Sequence, residues 1–292
     1  MYYIVYGLLY AFSLLPLRVL YLFSDLAYFI VYYLSGYRKK VVLDNLQIAF
    51  PEKSENERIK IAKQFYLNFT DTLIESLKML SISTKELERR GKGEFEYINS
   101  LIEKGYSINV MAAHQFNWEF ANLIYAKNLK APFVGIYMPI SNKIFDRIFL
   151  KFRARYGTVL ISAQDFKNKM HKVFSAQYAL ALAADQNPGN PAAAYWMNFF
   201  GRPVPFITGP GKGAVKNNTA VVFVGFHKVK RGYYEFRVTP ISEDSSSYTP
   251  EQLTLMYKNV VEATIRKDPA NYLWSHRRWK WEWKEEYGEI VK

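Results

Sequence analysis

The chain has 292 residues, and its 39 Lys and Arg residues outnumber its 26 Asp and Glu residues, which gives a net charge of +13. Half of the residues are hydrophobic and 17% are aromatic, so a disordered chain is excluded and a sizeable core is expected in one large or two small domains. Cysteine is absent, which excludes disulfides, thiolate nucleophiles and Cys-ligated metal sites.

The amino-terminal end is strongly hydrophobic. Before the basic triplet at 38–40, only Arg18 and Asp25 carry a charge. A helix needs about 20 apolar residues to cross the hydrocarbon core of a bilayer. The run before Arg18 is slightly shorter, so two short embedded helices or one tilted helix both fit. Basic flanks favour the cytoplasmic side and anionic lipid head groups. We therefore expect a membrane-associated helical segment over residues 1–40, with the rest of the chain facing the cytoplasm.

Beyond this segment, strand-like and helical patterns alternate. Apolar residues recur every three or four positions between Asn56 and Leu80, the period of an amphipathic helix. Strands are predicted at 108–112, 133–137, 158–161, 179–183, 220–226 and 234–238, and further helices from 117, over 144–155 and over 250–266. Strands separated by helices of this length predict an α/β fold, in which helices cover both faces of a sheet. We expect one domain over residues 41–292.

The most informative segment runs from a buried-type strand through a polar turn into a helix. It contains His114 and Glu119, which on one continuous helix would lie about 140° apart. If His114 instead ends the strand and Asn117 caps the helix, the turn can fold Glu119 toward the imidazole and leave one ring nitrogen as a base. A core histidine with a surface glutamate fits equally well, although ligands usually bind at the carboxyl end of such a strand.

The motif His114-Gln-Phe-Asn-Trp-Glu119 resembles the first motif, His-x4-Glu, of membrane acyltransferases that acylate lysophospholipids and lipid A. Further segments are similar, in the same order, to those of the late acyltransferases of lipid A biosynthesis, the lauroyl and myristoyl transferases. These segments are Asn45–Glu52, Tyr137–Asn142, Asp146–Arg147, Arg153–Gly157, Ala184–Gly189, Phe199–Gly201, Thr208–Pro210 and Trp274–Lys280. The resemblance spans nearly the whole chain, with Phe116 standing where the family usually has glycine.

This resemblance implies a fold and a reaction. The fold is a glycerol-phosphate-acyltransferase-like sheet flanked by helices. The reaction moves a fatty acyl group from the thioester of acyl carrier protein to a hydroxyl of a lipid A precursor, on the cytoplasmic face of a bacterial inner membrane. His114 is expected to act as general base and Glu119 to orient it, with direct transfer rather than an acyl-enzyme. We expect no metal and no bound cofactor.

The resemblance also implies residues that bind the substrate. They are Asn117, Arg147, Arg153, Arg155, Asp185 and Gln186. Guanidinium groups suit bidentate phosphate binding, so the three arginines are expected to meet the phosphates of the acceptor. A solvated helix face or contact with lipid head groups is the alternative for each arginine. Asp185 and Gln186 are better suited to holding the site together than to chemistry.

The sequence also admits other functions. The same chemistry would acylate a lysophospholipid or an amino-acid lipid. A non-catalytic membrane protein that binds anionic lipid is a different class, for which the arginines and tryptophans between 274 and 283 would form an exposed interfacial belt. Nucleic acid is not an expected partner, because the basic residues are spread along the chain and the sequence contains no recognised nucleic-acid module.

Overall fold

The computed structural model describes the backbone of residues 1–292 and every side chain except those of Lys167 and Lys172. The helices are α1 Tyr2–Leu14, α2 Leu17–Phe29, α3 Lys39–Ala49, α4 Glu55–Lys78, α5 Thr84–Arg90, α6 Glu96–Glu103, α7 Trp118–Asn128, α8 Lys143–Arg153, α9 Phe166–Val173, α10 Gly209–Asn217 and α11 Pro250–Lys267. The strands are β1 Gly91–Gly93, β2 Ile108–Ala112, β3 Phe133–Tyr137, β4 Val159–Ser162, β5 Ala179–Ala183, β6 Tyr195–Phe199, β7 Arg202–Phe206, β8 Ala220–Lys230, β9 Tyr233–Ser242 and β10 Ile290–Val291.

Local sequence signals begin the two longest helices. At the start of α4, the Ser54 hydroxyl accepts from the backbone N–H of Glu57, whose carboxylate accepts from the backbone N–H of Ser54. Thr249 and Gln252 form the same capping box at the start of α11. Each box satisfies two backbone donors that a helix leaves unpaired at its first turn. Helix α4 confirms the amphipathic helix predicted between Asn56 and Leu80, and α11 confirms the helix predicted over 250–266.

The described backbone forms a seven-stranded sheet in the order β1-β9-β8-β2-β5-β3-β4. Neighbouring strands are parallel except β8 and β9, which form an antiparallel hairpin. The α/β prediction is confirmed, and β2, β3 and β5 have the predicted bounds. A second sheet, β10-β6-β7, was not predicted. Its strand β7 contains Pro203 and Pro205. Proline has no N–H to donate to a neighbouring strand, so a sequence with two prolines does not predict a strand.

The central strand β2 places the residues that follow it. Val110 packs in the core formed with α6 and α7, whereas Met111 packs on the opposite face with α3, α4 and α11. A strand buried on both faces reads as a continuous apolar run. Ala112, the last residue of β2, pairs with Ala183, the last residue of β5. Because the two strands are parallel, the residues after them emerge side by side at one edge of the sheet.

Helices α1 and α2 form the hydrophobic amino-terminal segment. A further helical turn, Ile30–Leu34, extends α2, and the 18 residues Leu17–Leu34 are long and apolar enough, by length and composition only, to cross a membrane. The exposed apolar side chains of the segment include Tyr3, Ile4, Leu8, Leu14, Val19, Leu22, Phe23, Leu26, Phe29, Ile30, Tyr33 and Leu34. The other side of α2 packs on α4. The segment is therefore a candidate membrane anchor, and its boundary as a unit near residue 40 stays a prediction.

Candidate active site

A polar turn follows β2 and carries His114. The backbone oxygen of His114 accepts a hydrogen bond from the N–H of Leu273 at 2.9 Å. The buried amide of Gln115 bonds both the N–H and the C=O of Phe226 in β8, at 3.2 and 3.4 Å. The ring of Phe116 is fully buried in the hydrophobic core. The turn is thus held by β8, by the carboxyl-terminal stretch and by the core. The large side chain of Phe116 packs inside the protein.

The carboxylate that faces the His114 ring belongs to Asp185. Asp185 follows β5 as His114 follows β2, and the paired ends of the two strands bring them together. Asp185 Oδ1 lies 2.7 Å from His114 Nδ1, and Asp185 Oδ2 accepts from the backbone N–H of His114 at 3.1 Å. An ionised carboxylate only accepts, so Nδ1 carries the proton and Nε2 the lone pair. The predicted hydrogen bond from the His114 ring to Glu119 is therefore wrong, because Asp185 accepts that bond.

The surroundings favour the charged forms of both partners. Asp185 is fully buried, whereas the side chain of His114 is 29% exposed. Burial disfavours the imidazolium, but the charge and hydrogen bond of Asp185 outweigh it and raise the pKa of His114. Burial likewise works against the Asp185 carboxylate, yet its contacts with His114 hold its pKa below the ordinary value. Nε2 makes no hydrogen bond with any residue that the structure describes, so it is open to a ligand.

Helix α11 clamps the two strand ends that carry the pair. The Tyr257 hydroxyl donates to the backbone oxygen of Ala112 at 2.8 Å and accepts from the N–H of Ala184 at 3.2 Å. A cavity lined in part by Tyr257 and Ala184 measures about 20 Å³. Such a volume admits about one water molecule.

Glu119 pairs with Arg153 instead of His114. The guanidinium Nε and Nη2 of Arg153 donate to both carboxylate oxygens of Glu119 at 2.5 to 3.2 Å, and Trp118 Nε1 adds a third donor group at 3.1 Å. The Glu119 side chain is 1% exposed. This bidentate pair joins the first turn of α7 to the last turn of α8. Because its guanidinium is held by a carboxylate, Arg153 is not supported as a phosphate ligand.

The other two predicted arginines are exposed, and each makes one contact with another part of the chain. The guanidinium of Arg147 lies 4.2 Å from the ring centroid of Tyr2, so it packs against α1. Arg155 donates to the backbone oxygen of Ile82 at 2.6 Å. Neither guanidinium forms an ion pair with a residue that the structure describes, so Arg147 and Arg155 stay predicted contacts of the acceptor phosphates or of lipid head groups.

Asn117 and Gln186 differ in their access to a substrate. Asn117 is fully buried; its Oδ1 accepts from the N–H of Glu119 at 3.2 Å, which caps α7 as predicted, and its Nδ2 donates to Glu75 at 2.8 Å. Both polar atoms are occupied, so Asn117 shapes the turn rather than contacting a substrate. Gln186 is half-buried beside Asp185 and makes no side-chain hydrogen bond with another described residue. Gln186 stays a predicted substrate contact.

The carboxyl-terminal stretch closes over the loop that carries Asp185. His276 Nε2 accepts from the N–H of Asn187 at 3.1 Å, and the Asn187 side chain bonds the backbone of Arg277 and the guanidinium of Arg278 at 2.6 and 2.9 Å. Burial and the nearby charge of Arg278 lower the pKa of His276 to about 4, so a neutral ring accepts this bond. Arg278 is 1% exposed. It therefore does not belong to the exposed interfacial belt predicted for this stretch.

Comparison with known proteins places this site in a family. Residues 1–281 match the family model described as bacterial lipid A biosynthesis acyltransferase. The chain belongs to this family. It is 25% identical over 246 residues to the lipid A biosynthesis lauroyltransferase of Escherichia coli, a match that covers 83% of this chain and 79% of that protein. It is 23% identical over 247 residues to a lipid A biosynthesis acyltransferase of Haemophilus influenzae, covering 83% of this chain and 78% of that one. The enzyme is an acyltransferase, as the motifs predicted.

Sequence reasoning missed the residues that hold the acyltransferase pair in place. Tyr257 falls in the middle of an amphipathic helix, where an aromatic residue reads as ordinary core. Glu75 is a buried polar residue in a helix that carries no catalytic pattern, and Gln115 occupies one of the unspecified positions within the His-x4-Glu motif. The signal that was available for Asp185 is its position: it follows a predicted strand by the same two residues as His114 does.

Exchange of Asp185 for Asn is expected to separate its role from that of Glu119. The amide removes the charge that raises the pKa of His114, and a base works only when neutral. The acidic limb of the kcat/KM profile should therefore move to lower pH, while the plateau rate falls by about 10²–10⁴-fold. Profiles of rate against pH measure both effects. Glu119→Gln is the matched control and should leave the acidic limb at the wild-type pH. An acidic limb that stays at the wild-type pH in Asp185→Asn would contradict the role of Asp185 as the partner of His114.

The Glu119–Arg153 pair is expected to contribute mainly to stability. Glu119→Gln leaves a largely buried guanidinium without its counter-charge, which should lower the free energy of unfolding by about 2–4 kcal/mol. Denaturant unfolding in detergent measures this loss. The double variant Glu119→Gln with Arg153→Gln removes the stranded charge and should recover part of the stability. If Glu119→Gln unfolded at the wild-type denaturant concentration, the pair would have no structural role.

Proposed function

We propose that this enzyme moves a fatty acyl group from the thioester of acyl carrier protein to a hydroxyl of a lipid A precursor, with His114 as general base. The observation that carries the proposal is the His114–Asp185 pair, in which one ring nitrogen is fixed by a buried carboxylate and the other is open. The family match and the names of the relatives, which are lipid A biosynthesis acyltransferases, support the substrate class.

The proposed reaction needs no covalent enzyme intermediate. Nε2 of His114 removes the proton from the acceptor hydroxyl as its oxygen attacks the thioester carbonyl. The new C–O bond forms, the C–S bond breaks, and the imidazolium returns the proton to the leaving thiolate. Asp185 holds Nδ1–H and stabilises the transient imidazolium, the part that the sequence had assigned to Glu119. General-base help of this kind contributes on the order of 10²–10⁴ in rate.

Glu119 is proposed as a positioning residue. Through Arg153 it holds the end of α8 against the start of α7, and α7 begins directly after the turn that carries His114. The pair thus fixes one wall of the site. The net charge of +13 supports an acidic carrier protein as the acyl donor, because opposite net charges speed the encounter of two proteins.

We further propose that α1 and α2 lie in one leaflet, on the cytoplasmic face of a bacterial inner membrane, rather than crossing it. Their outward side chains are apolar. On the inward side of α2, Tyr21 and Ser24 bond α4, and Asp25 pairs with Arg231 at 2.6 Å. A helix fixed to the domain along its polar side, with an apolar opposite side, suits the plane of the interface.

The base is tested by His114→Ala. Acyl transfer by purified enzyme in detergent should fall by at least about 10²-fold, because the acceptor hydroxyl keeps its proton. The matched control is His171→Ala, an exposed histidine of α9, which should retain the wild-type rate. Transfer at the wild-type rate by His114→Ala would eliminate the proposed base.

The acceptor is tested by mass spectrometry of lipids from cells that lack the protein. A missing acyl chain on lipid A, restored by the wild-type gene and not by His114→Ala, is the expected result. An intact lipid A together with a changed phospholipid or aminolipid pool would contradict the proposed acceptor and favour acylation of those lipids.

Membrane binding is tested by Leu26→Asp, which places a charge on the exposed side of α2. The fraction of protein that floats with anionic liposomes should fall, with a partition coefficient lower by about tenfold or more. Val159→Asp introduces the same charge at an exposed apolar position of β4 and should leave flotation unchanged. Equal flotation of the two variants would contradict the proposed position of α2.

A further inference from the structure

A buried carboxylate joins the amino-terminal segment to the site. Glu75, in α4, is fully buried and accepts hydrogen bonds from three other parts of the chain. The Tyr21 hydroxyl of α2 donates to Oε1 at 2.6 Å, and the Tyr234 hydroxyl of β9 donates to Oε2 at 2.6 Å. Asn117, in the turn after His114, donates to the same Oε2 from Nδ2 at 2.8 Å.

These donors are what makes a carboxylate tolerable at this place. Burial raises the pKa of Glu75, while the bonds from Tyr21 and Tyr234 and the charge of Lys228 work against that rise. Lys228 does not bond Glu75 directly; its ammonium bonds Asp71 at 2.9 Å. A buried polar group that loses a partner is costly. We therefore expect the carboxylate or its remaining partners to shift when any one donor is removed.

The same bonds continue into the catalytic turn. The other end of the Asn117 amide caps α7 at the N–H of Glu119, and the backbone before Asn117 leads directly to His114. A connected path therefore runs from the α2 hydroxyl of Tyr21, through Glu75 and Asn117, to the turn that holds the base. Each step is a hydrogen bond of 3.2 Å or less between buried groups.

A second set of contacts between α2 and α4 does not reach the turn. Asp71 accepts from the Ser24 hydroxyl at 2.8 Å and from Lys228 and Arg231, and Arg231 also pairs with Asp25. These groups hold α2 on the domain but make no bond to Asn117. Helix α2 thus has two hydroxyls that bond α4: the Tyr21 hydroxyl lies on the path to the turn, and the Ser24 hydroxyl does not.

We propose that α2 is a positioning element of the active site as well as a membrane-facing helix, and that Tyr21 is the residue through which it positions the catalytic turn. The inference rests on the proposed function, because it concerns the same base. It implies that the amino-terminal segment cannot be removed to give an active soluble enzyme.

The test compares Tyr21→Phe with Ser24→Ala in the full-length enzyme. Each variant removes one hydroxyl of α2 that bonds a carboxylate of α4, so Ser24→Ala controls for the loss of such a hydrogen bond between the two helices. Tyr21→Phe is expected to lower kcat by about tenfold with KM for both substrates within about twofold, because the base is misplaced while the binding surfaces persist. Ser24→Ala is expected to keep kcat within about twofold. Tyr234→Phe, which approaches the same carboxylate from β9, should repeat the Tyr21→Phe result.

A double-mutant cycle with Asn117→Ala shows whether the effect travels along the path. In the Asn117→Ala background, Tyr21→Phe should cause little further loss of kcat, whereas independent effects would multiply. Multiplying losses, or Tyr21→Phe and Ser24→Ala with equal kcat, would overturn the inference while leaving the proposed function intact. An inactive wild-type enzyme would instead refute the proposed function and the inference with it.

Discussion

The site depends on one hydrogen bond, between an imidazole and a buried carboxylate at the ends of two adjacent parallel strands. Asp185 is fully buried, so its charge requires a partner, and His114 supplies both a ring N–H and a backbone N–H. The strand register brings the two residues together without any distortion of the sheet. Neighbouring residues hold this pair in place. Tyr257 bonds the ends of both strands, and the carboxyl-terminal stretch bonds the loop that carries Asp185.

The three buried carboxylates in and near the site, Glu75, Glu119 and Asp185, have different partners. Glu119, which the motif associates with His114, forms a bidentate ion pair with Arg153 that joins α7 to α8. Glu75 is surrounded by hydroxyl and amide donors and joins α2 to the turn. Three carboxylates thus have three roles, set by what each of them meets: an imidazole, a guanidinium or neutral donors.

The elements of the fold were largely predictable, whereas the pairing of side chains across it was not. Apolar runs and helical periodicity gave β2, β3, β5 and the long helices, because these patterns are local. Glu119 is close to His114 in sequence, and this made it the expected partner, but β5 inserts between β2 and β3 in the sheet and delivers Asp185 from 71 positions away. The spacing of residues along the chain does not determine the order of the strands in the sheet. Likewise, the arginines have the right chemistry for phosphate, and only the fold assigns Arg153 to Glu119 and Arg147 to α1.

The most direct test of the account is the tautomer of His114, observed by NMR of enzyme labelled with nitrogen-15 in its histidines. At a pH above the pKa of His114, the account predicts a proton on Nδ1, bonded to Asp185, and an unprotonated Nε2. Asp185→Asn should abolish this signature. A proton on Nε2 in the wild-type enzyme, or an imidazole signal that Asp185→Asn leaves unchanged, would contradict it.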